Sequence, residues 1–313
     1  MVDLSEFLDV YKKIPIICGP TASGKSGLAL ALCEATGGEL VSCDSMQIYR
    51  GLDIGTAKDT PEEQLRVRHH MIDIVDPDAT YSVSDFVRDA SSSIQDILNR
   101  GKLPVLCGGT GQYITALYKG LEFGSEGIDD AIVDSLYEEY ENDGIDGIYS
   151  KLQSVDPEAA EKIHPNNTRR VIRAYAVYLD SGITFTEKNK RSTATGPQFP
   201  FVLVQPGWDR SVLYDRVNMR VDEMISLGLV DEARWLFENY KDSGSTCLQA
   251  IGYKELFPYI KGEIGIDKAA YDIKLNTRHY AKRQLTWFRY MEVNVVDMEK
   301  NGQKIDPILS FVT

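Results

Sequence analysis

Long apolar runs are missing from this sequence. No stretch approaches the roughly 20 apolar residues a membrane span needs. The amino terminus, MVDLSEFLDVYKK, does not set a cationic segment ahead of an apolar one as a secretory leader does. The chain therefore reads as cytoplasmic, with no membrane partner. Cysteine is scarce as well. Its five thiols (Cys18, Cys33, Cys43, Cys107, Cys247) form no CxxC pair and show no zinc spacing with the four histidines. That excludes a disulfide framework and a zinc module, and predicts reduced, buried thiols. Positive charge is outnumbered, 34 Lys and Arg against 47 Asp and Glu, for a formal net charge of −13 over 313 residues. Indiscriminate attraction to DNA or an anionic membrane is thereby excluded, although charge acts within about a Debye length and a local cationic face can still work. What remains, 43% hydrophobic and 26% charged, is the composition of a globular protein of one large or two ordinary domains.

Short apolar runs are present, and they alternate with helix-like segments. IPIIC (14–18), GELVSCDS (38–45) and LPVLCGG (103–109) read as strands. SGLALALCEA (26–35), the stretch 84–100 capped by Ser84, and TGQYITALYKG (110–120) read as helices. Strand and helix in alternation predict an α/β fold, a parallel sheet with helices on both faces and ligands at the carboxyl ends of the strands. At Leu121 the composition changes, and as far as Glu161 thirteen Asp or Glu stand against a single Lys. Helical periodicity in DDAIVDSLYEEY and GIYSKLQSV, with no strand pattern before FPFVLVQP (199–206), predicts a helical insertion domain over 121–196. The core domain is then 1–120 with 197–313, completed by helical segments over 209–235 and 268–289 and a short strand VNVVDM (293–298). The acidic run reads as a solvated helix surface.

Between the first strand and helix stands GPTASGKS, Gly19 to Ser26, which fits the phosphate-loop pattern G-x-x-x-x-G-K-[ST] in the context that pattern requires. The sheet is accordingly expected to be P-loop NTPase-like. Gly19, Pro20, Thr21, Ala22, Ser23, Gly24, Lys25 and Ser26 would curl so that backbone N–H groups face one anion, with the helix N-terminus adding its dipole. Lys25 would sit on the terminal phosphate and Ser26 would hold Mg²⁺. Such a cradle serves a kinase that passes on a phosphoryl group, and equally an alkyl transferase whose diphosphate is the leaving group. Beyond the second strand, Asp44 could accept a proton from an attacking group, cap a helix or support the metal, and Gln47 could read a base edge. MIDIVDP (71–77) offers either a Walker B-like acid or an edge strand, and His69 and His70 read as structural.

The scarce positive charge is concentrated. Ile273 to Tyr290 carries five Lys or Arg and no carboxylate, leaving −18 for everything else. At 100° per residue Lys274, Arg278, Lys282 and Arg289 share one narrow stripe, opposite Ile273, Tyr280, Trp287 and Phe288. This predicts a helix packed by its aromatics that presents cations to a line of phosphates. Arg169, Arg170 and Arg173 form a second cluster after HPNN.

An ordered series of motifs runs through most of the chain: GPTASGKS, DSMQIYRGLDIGTAK, HHMIDIVDP, PVLCGGTGQY, DPEAAEKIHPNNTRRVIRAY, LYDRVNMRVDEMISLGLVDEA, QAIGYKEL and YAKRQLTWFR. This series resembles the tRNA dimethylallyltransferase (tRNA isopentenyltransferase) family. The resemblance implies a prenyltransferase that moves a dimethylallyl group from dimethylallyl diphosphate to the N6 amine of the adenine 3′ of the anticodon, in tRNAs reading codons that begin with U, with Mg²⁺. It further implies Thr21 to Ser26 on the diphosphate, Asp44 as general base, Lys25 and Arg220 on the departing pyrophosphate with Arg216 a weaker candidate, and Thr110 near the base and alkyl tail. Contacts to the anticodon arm of tRNA would come from Asp44, Ser45, Met46 and Gln47, from Arg169, Arg170 and Arg173, from Gln249, Gly252, Tyr253 and Lys254, and from Lys282, Arg283, Gln284, Trp287 and Arg289. The family's frequent arginine early in the insertion has no counterpart in DDAIVDSL, and no Cys/His zinc finger follows, which resembles the bacterial form. One chain can serve one tRNA, so a monomer is expected.

Overall fold

The apolar runs become strands of one sheet. The computed structural model describes residues 10–121, 128–192 and 196–313. Strands β1 (Ile14–Cys18), β2 (Glu39–Ser42), β3 (His69–His70), β4 (Pro104–Gly108), β5 (Phe201–Gly207) and β6 (Val293–Asp297) lie in the order β3-β2-β4-β1-β5-β6, every neighbouring pair parallel. Ile16 of β1 faces Leu106 of β4 on one side and Leu203 of β5 on the other. Strands β1, β2 and β4 are buried along their whole length, which is why they read as unbroken apolar runs and not as alternation. The chain builds β4, β2 and β3 on one side of β1 and β5 and β6 on the other. A crevice therefore opens at the carboxyl end of β1, where such folds bind ligands.

Helix α1 (Lys25–Thr36) buries Leu28, Ala29, Leu32 and Cys33, α2 (Pro61–Arg66) starts on a Thr60 capping box, and α3 (Val83–Asn99) lays Phe86, Ala90, Ile94 and Ile97 inward. Its cap is Ser82, not the expected Ser84: Ser82 accepts from Asp85 N, and the Asp85 carboxylate accepts from Ser82 N. That reciprocal pair fixes the start two residues earlier than the serine alone suggests. Helix α4 (Gly111–Lys119) follows β4. MIDIVDP is neither a strand nor a Walker B-like acid. Met71 and Asp73 take left-handed φ of +64° and +53°, Asp73 pairs with Lys58, and Asp76 pairs with Arg50. The edge strand is the preceding pair of histidines, held by Asp59 and Glu39.

Two compact units result: Met1–Tyr118 with Gln198–Thr313, and Lys119–Pro197. The regular structure described in the second is all helix: α5 (Asp130–Asp143), α6 (Ile145–Val155), α7 (Pro157–Lys162), α8 (Thr168–Ser181) and α9 (Phe185–Ser192). Its own core contains Leu136, Ile148, Leu152, Val171 and Ile172. Most of its carboxylates are solvated, but Asp156 is buried, capping α7 and accepting from Thr186 N and Oγ1. Gly120 touches the end of this unit so closely that a Cβ there would come 2.0 Å from Gly196 O. Residues 122–127 and 193–195 of the expected insertion, and residues 1–9, lie outside the described residues.

In the first unit α10 (Arg210–Ser226) and α11 (Leu229–Tyr240) divide the expected helical stretch at Gly228, whose φ is +107°. Then come α12 (Phe257–Ile260), α13 (Ile266–Phe288), α14 (Met298–Asn301) and α15 (Asp306–Val312). Besides the sheet core, a second apolar cluster joins Ile48, Tyr49 and Leu52 to Val221, Leu229, Leu236, Tyr253 and Ile273. All five cysteines are free and buried, as expected. Among the described residues no helix is long and apolar enough to cross a membrane.

Candidate active site

The phosphate loop leaves β1 and enters α1 with its carbonyls turned into the protein. Gly19, Ala22 and Gly24 have φ of +132°, +62° and +88°. These turns send Pro20 O to Lys25 Nζ (2.7 Å), Ala22 O to Arg216 Nε (2.9 Å) and Ser23 O to Trp208 Nε1 (2.8 Å). With carbonyls so engaged, the first turn of α1 and the loop's N–H groups other than that of Thr21, which donates to Gln284 Oε1, form a concave positive surface. Arg216 also stacks on Trp208, 4.5 Å from the ring centroid. Trp208 escaped sequence reasoning because nothing in GWDR marks an indole aimed at a loop 185 residues away.

Asp44, Ser45, Met46 and Gln47 follow β2, and Gly109 and Thr110 follow β4, so both loops emerge beside the cradle. Cys43 N donates to Cys107 O (2.7 Å), and Ser45 N donates to Thr110 Oγ1 (3.0 Å). Asp44 Oδ1 accepts from Met46 N (2.8 Å). Gln47 spends its amide inside this loop, accepting from Ser42 Oγ (2.8 Å) and donating to Thr56 O and Ala57 O (3.2 Å each). It thus shapes the wall and has no amide end free to read a base. The far end of the loop is held by Glu232, whose carboxylate accepts from the N–H of Asp53, Ile54 and Gly55 and from the Tyr253 hydroxyl.

These pieces enclose a cavity of about 360 Å³. Thr21, Lys25, Ser26, Asp44, Ser45, Met46, Gln47, Arg220, Gln249, Gly252, Lys254, Arg283 and Gln284 all line it. Val217, Val221 and Met224 of α10 and Ile273 of α13 add an apolar wall, and Tyr280 an aromatic one. A second cavity, of about 390 Å³, shares Lys25, Ser26, Ala57 and Arg220 and adds Asp59, Arg216 and Glu223. Burial lowers the proton affinity of Lys25, with Arg220 pressing the same way and Asp44 opposing. Burial likewise disfavours the Arg220 cation, against which Asp44 works. Two cations held at such a site without an ion pair among the described residues are set up for an anion.

The basic helix differs from its expected pattern. Lys274 pairs with Asp222 and Arg278 donates to Asn218 Oδ1 (2.6 Å), so the first half of the cationic stripe packs on α10. Lys282, Arg283 and Arg289 are the exposed cations. On the other side Ile273 and Phe288 are buried, but Trp287 is 47% exposed, its Nε1 donating to Thr115 Oγ1 (2.9 Å). Two residues expected to touch tRNA are interior ones. Tyr253 is fully buried with its hydroxyl on Glu232, and Gln284, 5% exposed, accepts from Thr21 N (2.8 Å) and donates to Gly109 O (2.9 Å). Gly252 is buried as well, its N–H donating to Glu255, whereas Gln249 and Lys254 are exposed at the cavity. Arg169, Arg170 and Arg173 are exposed on α8 of the second unit.

Comparison with known proteins matches these features to one family. The model of IPP transferases covers residues 47–291 and that of isopentenyl transferases residues 12–76. A tRNA dimethylallyltransferase of Oceanobacillus iheyensis is 45% identical over 297 residues, 95% of this chain and 94% of its own. That of Geobacillus thermodenitrificans is 44% identical, over 96% of each. Among solved structures, the full-length tRNA isopentenylpyrophosphate transferase of Bacillus halodurans superposes with a TM-score of 0.70 at 41% identity, covering 96% and 95% of the two chains. A eukaryotic dimethylallyltransferase acting on tRNA superposes with 0.79 at 29% identity, covering 91% and 73%. On fold, motif series and sequence identity together, this chain belongs to the IPP transferase family, among the tRNA dimethylallyltransferases.

Proposed function

We propose that this protein transfers the dimethylallyl group of dimethylallyl diphosphate to the exocyclic N6 of the adenine 3′ of the anticodon, in tRNAs reading codons that begin with U. The observation that carries the reading is one cavity walled by a phosphate cradle with two cations that have no ion pair among the described residues, a carboxylate and an apolar face. The cradle receives the diphosphate, and Val217, Val221 and Ile273 shelter the prenyl tail. N6 attacks C1 of the prenyl group, the C1–O bond breaks, and pyrophosphate departs with the bonding electrons. Lys25 and Arg220 stabilise the charge that grows on it, binding the transition state more tightly than the ground state. Asp44 takes the proton that N6 loses. The adenine must leave its stack to enter the cavity. Lys282, Arg283 and Arg289, with Arg169, Arg170 and Arg173, hold the anticodon arm. One chain serves one tRNA as a monomer, in the cytoplasm.

The donor set suits Mg²⁺. Ser26 and the carboxylates of Asp44, Asp59 and Glu223 offer only hard oxygen ligands around the cradle. Among the described residues no group of three or more His, Cys, Asp or Glu could hold a metal unaided. That fits a cation that keeps its waters and takes remaining ligands from the diphosphate. Bound at Ser26, Mg²⁺ would neutralise charge on the leaving group. A phosphate-loop kinase acting on a nucleotide or small metabolite would use the same cradle, but the loop alone speaks for it.

Incubation with labelled dimethylallyl diphosphate and unmodified tRNA should label the RNA. Asp44→Ala should lower the single-turnover rate by about 10²–10⁴ with tRNA affinity nearly unchanged. Absence of transfer by folded wild-type protein, or phosphoryl transfer from ATP in its place, would refute the proposal.

A further inference from the structure

We propose that Gln284 is a positioning residue for this reaction, a clip that sets the spacing between the loop carrying the leaving group and the loops carrying the base. The inference rests on the transferase reading above and adds a residue whose side chain works through others. Gln284 projects from the inner face of α13, where its buried neighbours are Ala281 and Phe288. An apolar side chain would serve packing there. Instead an amide is buried, and a buried amide is tolerable only when both its ends are satisfied. Its oxygen accepts from Thr21 N in the phosphate loop, and its nitrogen donates to Gly109 O in the loop after β4.

The next links lead to the base. Thr110, adjacent to Gly109, accepts from Ser45 N and has its own N–H on Cys43 O, the two residues flanking Asp44. The path from cradle to base thus runs Thr21, Gln284, Gly109, Thr110, Ser45, Asp44. Gly109 is part of the device. A Cβ at that position would lie 2.2 Å from Gln284 Nε2, so only glycine lets the amide close on the carbonyl. Because Lys282 on the same helix and Arg289 at its C-terminal end are exposed and line neither cavity, docking of RNA and spacing of the site belong to different faces of α13. In-line attack tolerates little error in the distance between base, amine and leaving group, and displacement by about 1 Å costs on the order of 10²-fold in rate.

Three variants test the clip. Gln284→Met keeps the length and removes both hydrogen-bonding ends. Gln284→Glu keeps the acceptor for Thr21 N and sets an oxygen against the Gly109 carbonyl. Gly109→Ala displaces the amide while leaving Gln284 in place, and carries the test should the Gln284 variants melt below the assay temperature. Each should lower the single-turnover rate at saturating tRNA and dimethylallyl diphosphate by about 10²-fold, with the tRNA dissociation constant unchanged. Gly109→Ala combined with Gln284→Ala should be no slower than Gln284→Ala alone, because the new methyl fills vacated space. The clip is overturned if affinity for tRNA falls while the rate on bound tRNA holds, if the two losses multiply, or if the single variants transfer normally. Failure of the wild-type protein to transfer would instead remove the functional reading, and the clip with it.

Discussion

Replacing Glu232 by alanine withdraws the acceptor from four donors at once, and the structure sets the size of the loss. The carboxylate receives Asp53 N (2.8 Å), Ile54 N (2.9 Å), Gly55 N (2.9 Å) and the Tyr253 hydroxyl (2.6 Å). Asp53 is exposed, so water replaces that bond. Ile54 and Gly55 are half-buried and Tyr253 is fully buried, its ring packed on Gly55. A buried donor left unpaired costs about 1–3 kcal/mol. One lost in full and two in part give about 2–5 kcal/mol, a large share of the roughly 5–15 kcal/mol that holds a domain folded. Urea unfolding followed by tryptophan fluorescence measures it. Tyr253→Phe removes one donor and leaves the amides their acceptor, so it should lose only about 1–2 kcal/mol. The damage should reach chemistry too, because Thr56 and Ala57 just beyond supply the carbonyls that hold Gln47 in the cavity wall. A Glu232→Ala protein within about 1 kcal/mol of wild type, with transfer intact, would show that packing alone holds the loop and that the count of donors is wrong.

Other perturbations separate docking, cradle and scaffold. Lys282→Ala with Arg289→Ala should weaken tRNA binding and flatten its log–log salt dependence by about 1–2 units, while the rate on bound tRNA holds; filter binding across a salt series reads the first and single-turnover kinetics the second. Inorganic pyrophosphate with Mg²⁺ should raise the melting temperature, equivalent to about 2.7 kcal/mol at a hundredfold excess over Kd, and Lys25→Ala or Arg220→Ala, or chelation of the metal, should remove the shift. At the opposite end of the strands Glu39 is buried against Arg100, Lys102 and His70. The hydrogen-bonded Arg100 guanidinium outweighs burial and, with the other two, holds its carboxyl far below the usual range. Its contribution is therefore complete above the ordinary glutamate value of about 4.3 and fades as pH falls below it; Glu39→Gln should destabilise at pH 7 by about 3–5 kcal/mol and flatten the acid limb, as denaturant unfolding at pH 7 and pH 3 would show.

Much of this was legible because some signals are local and others are not. β1, β2 and β4 announce themselves as unbroken apolar runs, since helices cover both faces of a parallel sheet. GPTASGKS is equally local: eight successive residues contain the whole cradle. β3 escapes because two residues carry no period. The stripe of Lys274 and Arg278 misleads because helical periodicity assigns faces without saying which face a neighbour covers, and α10 covers theirs with Asp222 and Asn218. Tyr253 and Gln284 read as surface contacts because motif membership does not distinguish a side chain that touches a ligand from one that holds the residues that do. Their partners lie 21 and 263 residues away in sequence, a distance over which composition and spacing carry no information.

The distribution of charge follows the same logic of separation. On the surface many cations pair with nearby acids, as in Lys151 with Glu139, Lys162 with Glu158 and Arg191 with Glu187. At the cavity Lys25 and Arg220 are half-buried and pair with no carboxylate among the described residues, although the chain has thirteen more acids than bases. Keeping them unpaired and partly buried destabilises the ligand-free protein, and the Asp44 carboxylate offsets that only in part. The deficit disappears when a polyanion and a diphosphate arrive, so free energy withheld from folding becomes available for binding the two substrates and the charge that develops between them.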